Sequence, residues 1–189
     1  MSRAHELLPI PPRDLPEEPM PGLELRDEHR VELDIAERFV PGPPGAPDVR
    51  VVVYQPRARR TPILPILFQI HGGAFCLMHP ETFAGMEADW ALYHHCVVVS
   101  VDYRLAPEHP FPAALDDALK VYRWLLMQGY STKDIIISGD SAGGGLALAT
   151  VLSLRDNKEP LPAVVICMSP WADLTQTGQS HITNAAADV

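Results

Sequence analysis

The chain lacks the features that mark several classes of protein. It has 15 lysine and arginine residues against 24 acidic ones, and its formal net charge of −9 argues against nucleic acid and acidic membrane surfaces as partners. No apolar run approaches the roughly 18 residues of a membrane-spanning helix. The first residues lead into prolines rather than into a secretory signal. We therefore predict no nucleic-acid partner, no membrane span and a cytoplasmic location.

Cysteine is scarce, and histidine is scattered. The three cysteines, Cys76, Cys96 and Cys167, are an odd number without metal-ligand spacing. Cys96 and Cys167 lie in apolar runs, which favours buried free thiols. The histidines show no zinc-binding arrangement. We predict no metal and no cofactor.

The order of apolar runs predicts an α/β fold. An opening hairpin is indicated by Val31, Leu33 and Ile35, followed after a turn by alternating valines from Val49. Strands then alternate with helices, predicted in the order strand 66–70, helix 81–94, strand 96–101, helix 112–128, strand 135–138, helix 142–155 and strand 163–168. This pattern predicts a mostly parallel sheet with helices on both faces.

The 189 residues are enough for one domain with a core. Residues 1–24 are rich in proline, and we interpret them as an arm or part of a cap. Residues 25–172 form the predicted sheet core, and 173–189 the start of a cap segment.

A glycine-flanked serine follows the strand at 135–138. Gly139, Asp140, Ser141, Ala142 and Gly143 fit Gly-x-Ser-x-Gly, the strand-to-helix turn that lifts a serine hydroxyl clear of a sheet. A large side chain at either glycine would clash there. The next helix is apolar nearly all round, which suits deep packing, and its N-terminus would direct free N–H groups toward the serine.

A second glycine segment follows the strand at 66–70. His71 leads into Gly72 and Gly73, whose N–H groups are sterically free to bind an oxyanion. Together the two segments describe half of the active site of a hydrolase.

The chain resembles the hormone-sensitive-lipase-like esterases, which are α/β hydrolases with a His-Gly-Gly-Gly loop and a Gly-Asp-Ser-Ala-Gly-Gly elbow. The stretch from Asp102 to Glu108 also matches that family, so the resemblance covers roughly residues 25–189. It implies Ser141 as nucleophile and the N–H groups of Gly72, Gly73 and Ala142 as oxyanion hole. It further implies a small-molecule ester of short to medium acyl length as substrate.

The chain departs from the family pattern at Ala74, where the third glycine usually stands. We expect its methyl group to forbid a positive φ without removing the N–H donor.

The acid and base of a catalytic triad are missing from their usual places. In this fold they follow the serine, yet only one histidine, His181, comes after Ser141. The acids in that region are Asp156, Glu159, Asp173 and Asp188. None has the family's Asp-Pro-Leu-like context, and the residues around His181 resemble the approach to the cap. We expect His181 to lie in a solvated loop, and residues 1–189 to be catalytically incomplete.

Three interpretations remain open. The chain is a truncated esterase or a fragment, or a non-catalytic binding protein like the plant gibberellin receptors of this family, or a subunit whose missing half comes from another chain. Both motifs are retained, which favours an enzymatic origin. The last predicted strand, Ala163–Met168, would be an unprotected sheet edge. We therefore predict self-association, which Val165→Lys should weaken.

Overall fold

The structure is a computed structural model that describes residues 20–42, 45–58 and 63–184. The elements are α1 Asp27–Glu32, β1 Leu33–Val40, β2 Val49–Pro56, β3 Ile66–Ile70, α2 Ala84–His94, β4 Val97–Asp102, α3 Ala113–Met127, β5 Ile135–Asp140, α4 Ser141–Asp156, β6 Val164–Met168 and α5 Gln179–Thr183. Short 3₁₀ turns, Pro80–Phe83 and Thr132–Asp134, precede α2 and β5. Most of the predicted proline-rich arm, residues 1–19, lies outside the described residues.

The strands form one sheet in the order β1-β2-β4-β3-β5-β6. β1 and β2 are antiparallel to their neighbours, whereas β4, β3, β5 and β6 run parallel to one another. Ile70, the last residue of β3, pairs with Gly139 near the end of β5. Because parallel strands end at the same edge, the two glycine segments, 68 residues apart in sequence at their point of contact, become neighbours.

Helices cover both faces of the sheet, as predicted. α3 and α4 pack over a core that includes Phe68, Val99 and Ile137, which lie side by side on three neighbouring strands. α2 covers the other face against Tyr54 and Val98. The β-branched and aromatic residues of these strands are buried on both faces, which is the usual condition of parallel strands.

The structure differs from the sequence prediction near the chain ends. Val31 was expected in the first strand but lies in α1, where its side chain is 72% exposed. Asp27 and Glu28 occupy the first turn of that helix, where the helix dipole stabilises acidic side chains. The backbone of His181 lies in α5 and not in a loop.

Candidate active site

Ser141 is the exposed first residue of α4, and its backbone is left-handed with φ 51°. Residues with a side chain rarely adopt this conformation, which costs roughly 1–2 kcal/mol. Both flanking glycines are sterically required. A Cβ at Gly139 would overlap the carbonyl of Gly143, and a Cβ at Gly143 would overlap the carbonyl of Ile70. The close approach of α4 to β3 and β5 therefore holds the serine in its strained turn.

The start of α4 provides unpaired backbone donors beside this serine. Ala142 is the second residue of the helix, so its N–H has no partner within the helix. Asp140 stands at the N-cap in an extended conformation, but its carboxylate makes no capping bond to α4. The carboxylate accepts a hydrogen bond from the N–H of Gly72 at 3.0 Å instead. The end of β5 is thereby joined to the loop after β3.

His71, the first residue of that loop, is fully buried. Its Nδ1 donates to the carbonyl of Gly72 at 2.7 Å, and its ring stacks on Tyr103 with centroids 4.3 Å apart. Burial lowers the pKa of His71 to about 4, so the ring is neutral near pH 7. A buried and neutral ring bonded to its own loop supports that loop and is unsuited to be a base for Ser141.

The backbone conformation of the loop requires glycine at two positions for different reasons. Gly73 has φ 109°, in a region that favours glycine. Gly72 is not left-handed, but a Cβ there would overlap the carboxylate of Asp140. Ala74 adopts φ 53°, so the expectation that its methyl group forbids a positive φ is wrong. The N–H groups of Cys76 and Leu77 both donate to the carbonyl of Gly73, and this closed turn holds Ala74 in place.

The loop does not present all its N–H groups equally. The N–H of Gly72, which the family resemblance assigned to the oxyanion hole, already donates to Asp140. Within residues 20–42, 45–58 and 63–184, no hydrogen bond occupies the N–H of Gly73 or Ala74. Burial raises the pKa of Asp140, an effect that the bond from Gly72 opposes. No cation pairs with that carboxylate in the described part of the chain.

The described acidic residues after Ser141 either lie far from it or bond to other side chains. Asp156 ends α4, about 22 Å along the helix from Ser141 at 1.5 Å per residue. Glu159 pairs with Arg123 at 2.6 Å. Asp173 accepts hydrogen bonds from Thr175 and Thr177, which lower its pKa to about 2. Asp188 lies outside the described residues.

An apolar cavity of about 420 Å³ lies along α4 beyond the elbow, and neither Ser141 nor Ala142 lines it. Phe75 and Trp171 line one side, with ring centroids 6.2 Å apart, and the outer face of α4 lines another through Leu148 and Leu152. The backbone N–H of Trp171 donates to the carbonyl of Ser141 at 2.8 Å. Phe75 and Trp171 were not predicted from the sequence as residues of the site. Their signal is an aromatic residue shortly after a strand that ends at the site.

The described residues contain no group of three or more histidine, cysteine or acidic side chains that could hold a metal ion. All three cysteines are free, and Cys96 is buried in the core between α2 and the sheet, whereas Cys167, which was also predicted to be buried, is only partly buried. Burial raises the pKa of the Cys96 thiol to about 11. No helix in the ranges that the structure describes is both long and apolar enough to cross a bilayer.

Known proteins are similar to this chain in sequence. A sequence profile described as alpha/beta hydrolase fold matches residues 67–189. The chain therefore belongs to the α/β-hydrolase family. An esterase of Acinetobacter venetianus is 50% identical over 123 residues, which are 65% of this chain and 41% of the esterase. Esterase LipI of Mycobacterium tuberculosis is 34% identical over 181 residues, which cover 94% of this chain and 53% of LipI.

A solved structure supports the same assignment. The crystal structure of an esterase from the bacterial hormone-sensitive lipase family superposes with a TM-score of 0.73 and 38% identity, covering 83% of this chain and 50% of that one. These similarities confirm the predicted resemblance to the hormone-sensitive-lipase-like carboxylesterases. The chain spans about half the length of the relatives it matches.

Proposed function

We propose that the chain carries the nucleophile half of a carboxylic ester hydrolase, with Ser141 as nucleophile. The observation that carries this proposal is the strained and exposed Ser141 at the N-terminus of a helix packed on the sheet, beside unbonded N–H groups. A protein that only binds a ligand needs the cavity but has no use for a strained serine turn. The esterase relatives support the same reaction class.

The oxyanion would be held by the backbone N–H groups of Gly73 and Ala142, with Ala74 as a third donor. These groups come from the two glycine segments and have no other partner in the part of the chain that the structure describes. Gly72 belongs to the same loop, but its N–H already donates to Asp140. Donors of this kind stabilise the negative charge that develops on the carbonyl oxygen during attack.

In the proposed reaction the Ser141 hydroxyl oxygen attacks the ester carbonyl carbon and loses its proton to a base. The bond to the alcohol then breaks, the alcohol leaves with a proton, and the acyl group remains on Ser141 until water releases it as an acid. The apolar cavity between Phe75 and Trp171 suits an aliphatic part of the ester.

The candidate groups discussed above are not placed to act as the general base for Ser141. His71 is neutral, buried and bonded to its own loop, while Asp156 and Glu159 lie away from the site or pair elsewhere. We therefore infer that a protein consisting of residues 1–189 hydrolyses esters slowly. Loss of a triad member leaves about 10³–10⁴-fold over the uncatalysed reaction, from the oxyanion hole and binding.

The test is the hydrolysis of p-nitrophenyl butyrate, together with labelling of Ser141 by a fluorophosphonate. Slow turnover and one phosphonyl adduct are expected, and the adduct should disappear in Ser141→Ala but persist in Ser153→Ala, a serine farther along the same helix. A phosphonyl adduct that persists in Ser141→Ala would reject the nucleophile. Efficient turnover that His181→Ala abolishes would show that residues 1–189 contain their own base. An ester-like ligand that binds without reacting would favour a receptor-like protein.

A further inference from the structure

One side-chain hydrogen bond joins the two glycine segments of the candidate site. The carboxylate of Asp140, directly before the nucleophile, accepts the N–H of Gly72 at 3.0 Å. We propose that Asp140 is a positioning residue that sets the direction of the loop's free N–H groups relative to Ser141. The inference rests on the proposed hydrolase function, but the contact itself is testable without catalysis.

Both residues of this contact fit it closely. Gly72 has no room for a side chain because a Cβ would overlap the second carboxylate oxygen of Asp140. Asp140, in turn, forgoes the common role of an N-cap aspartate, which accepts from its own helix. Its carboxylate is half-buried and has no cationic partner among the residues described. The N-terminus of α4 partly stabilises that charge.

The carbonyl of Gly72 is held as well as its N–H. His71 Nδ1 donates to this oxygen at 2.7 Å, and the Tyr103 hydroxyl lies 3.4 Å from it while donating to the carbonyl of His71 at 2.9 Å. Both polar backbone groups of Gly72 are therefore fixed, one by the elbow and one by the buried rings.

Fixing Gly72 determines where the next donor points. The carbonyl of Gly72 and the N–H of Gly73 belong to one planar trans peptide, so they point in opposite directions. Since that carbonyl faces the buried His71 and Tyr103 rings, the N–H of Gly73 faces away from them. The N–H of Gly72 belongs to the preceding peptide, and its bond to Asp140 anchors that peptide to the residue next to the nucleophile.

The position of Asp140 is inconsistent with direct stabilisation of the reaction. A carboxylate beside a developing oxyanion repels it, so the charge itself works against catalysis. Its benefit must come through the geometry that the hydrogen bond imposes. An uncharged acceptor of the same shape should therefore preserve most of the rate, which separates a positioning role from an electrostatic one.

The experiment is a double-mutant cycle between Gly72→Ala and Asp140→Ala in residues 1–189. The limiting rate and half-saturation of Ser141 phosphonylation are measured for each variant. We expect either single change to lower the limiting rate by about 10²-fold, the typical cost of a misplaced catalytic group. The half-saturation concentration should change less. Gly72→Ala should cost little more once Asp140 is alanine, because the overlapping carboxylate is then gone.

Two further variants complete the design. Asp140→Asn keeps an oxygen acceptor for Gly72 and should retain a limiting rate within about tenfold of the parent. Asp156→Ala removes the same charge from the exposed far end of α4 and serves as the matched control. A rate loss in Asp140→Asn equal to that in Asp140→Ala, or additive effects of the two alanine changes, would overturn the proposal.

Amide hydrogen exchange of Gly72, followed by NMR on glycine-labelled protein, tests the contact when Ser141 does not react. We expect the Gly72 amide to exchange at least about tenfold faster in Asp140→Ala than in the parent or in Asp156→Ala. An unchanged exchange rate in Asp140→Ala would refute the hydrogen bond between Gly72 and Asp140, whatever the enzymatic result. If Ser141 of the parent is not phosphonylated but Asp140 protects the Gly72 amide from exchange, the proposed function is refuted and the hydrogen bond is supported.

Discussion

β5 and β6 are neighbouring parallel strands of similar composition, yet their side chains have different environments. Ile135 and Ile137 of β5 are completely buried, whereas Val164 and Ile166 of β6 are 48% and 44% exposed. β5 pairs with strands on both sides, while β6 pairs only with β5 in the described sheet. An apolar run thus reveals that a strand can be buried, and the neighbouring elements decide whether it is.

The exposure of β6 is one-sided. Val165 packs against the core beneath α4, and the Cys167 thiol contacts the carbonyl of Gly144 at 3.7 Å. Ile166 and Met168 point to the opposite face, where they line an apolar cavity of about 430 Å³ with Trp90. Val165→Lys would therefore bury a charge, so the edge is better tested at Ile166.

The largest expected difference between the two strands is in stability. Ile137→Ala should lower the free energy of unfolding by about 2–5 kcal/mol, because it opens a cavity in close-packed surroundings. Ile166→Ala, in the next strand, should cost less than about 1 kcal/mol since its side chain is already half in water. Urea denaturation followed by circular dichroism measures both. Equal losses would show that β6 is covered in solution.

The covered part of the sheet should also respond to pH through Glu87 of α2. Burial raises the pKa of this carboxyl from 4.5 to about 8, although its oxygen accepts from Ser100 at 2.6 Å and Tyr54 also bonds to it. The charges of Glu81 and Asp140 raise this pKa further.

The folded chain holds a proton on Glu87 that the unfolded chain releases above about pH 4.5. The contribution of Glu87 to the free energy of unfolding should therefore fall as the pH rises from 4.5 to about 8. Glu87→Gln should remove this slope in urea titrations across that range, whereas Glu28→Gln on the exposed α1 should not. A slope that persists in Glu87→Gln would contradict the assignment.

The smallest change in stability, and the clearest test of the edge, is expected for Ile166→Lys. Residues 1–189 should self-associate at about tens of micromolar, because unpaired backbone groups and exposed apolar residues of β6 can pair with another chain. Lysine at 166 should reduce this association in light scattering. Val31→Lys, in exposed α1, is the matched control and should leave it unchanged. A monodisperse parent would show that the edge is closed.

Local patterns were enough to predict much of the fold. β3, β4 and β5 are short β-branched runs between turn residues, and α3 carries its apolar residues at helical spacing, so their bounds were predicted to within about two residues. The strained turn at Ser141 was also predictable, since it depends on the two glycines that flank it, whereas the role of Ser141 as nucleophile stays a prediction.

What the sequence could not predict depends on contacts between distant segments. The bond between Gly72 and Asp140 exists only because β3 and β5 are neighbours, and no local signal shows that this N–H is occupied. The left-handed Ala74 depends on two later N–H groups that bind Gly73. The exposure of β6 likewise depends on which elements lie against it, and this cannot be predicted from the composition of the strand.

The strand order also has a consequence for synthesis on the ribosome. β3 lies between β4 and β5, so both of its partners are made after it. Asp140 follows Gly72 by 68 residues, which at about 5–20 residues per second is roughly 3–14 s of translation. The glycine loop therefore waits for seconds in the nascent chain before its anchor exists. The loop after β3 and the start of α4 come together only when β5 pairs with β3.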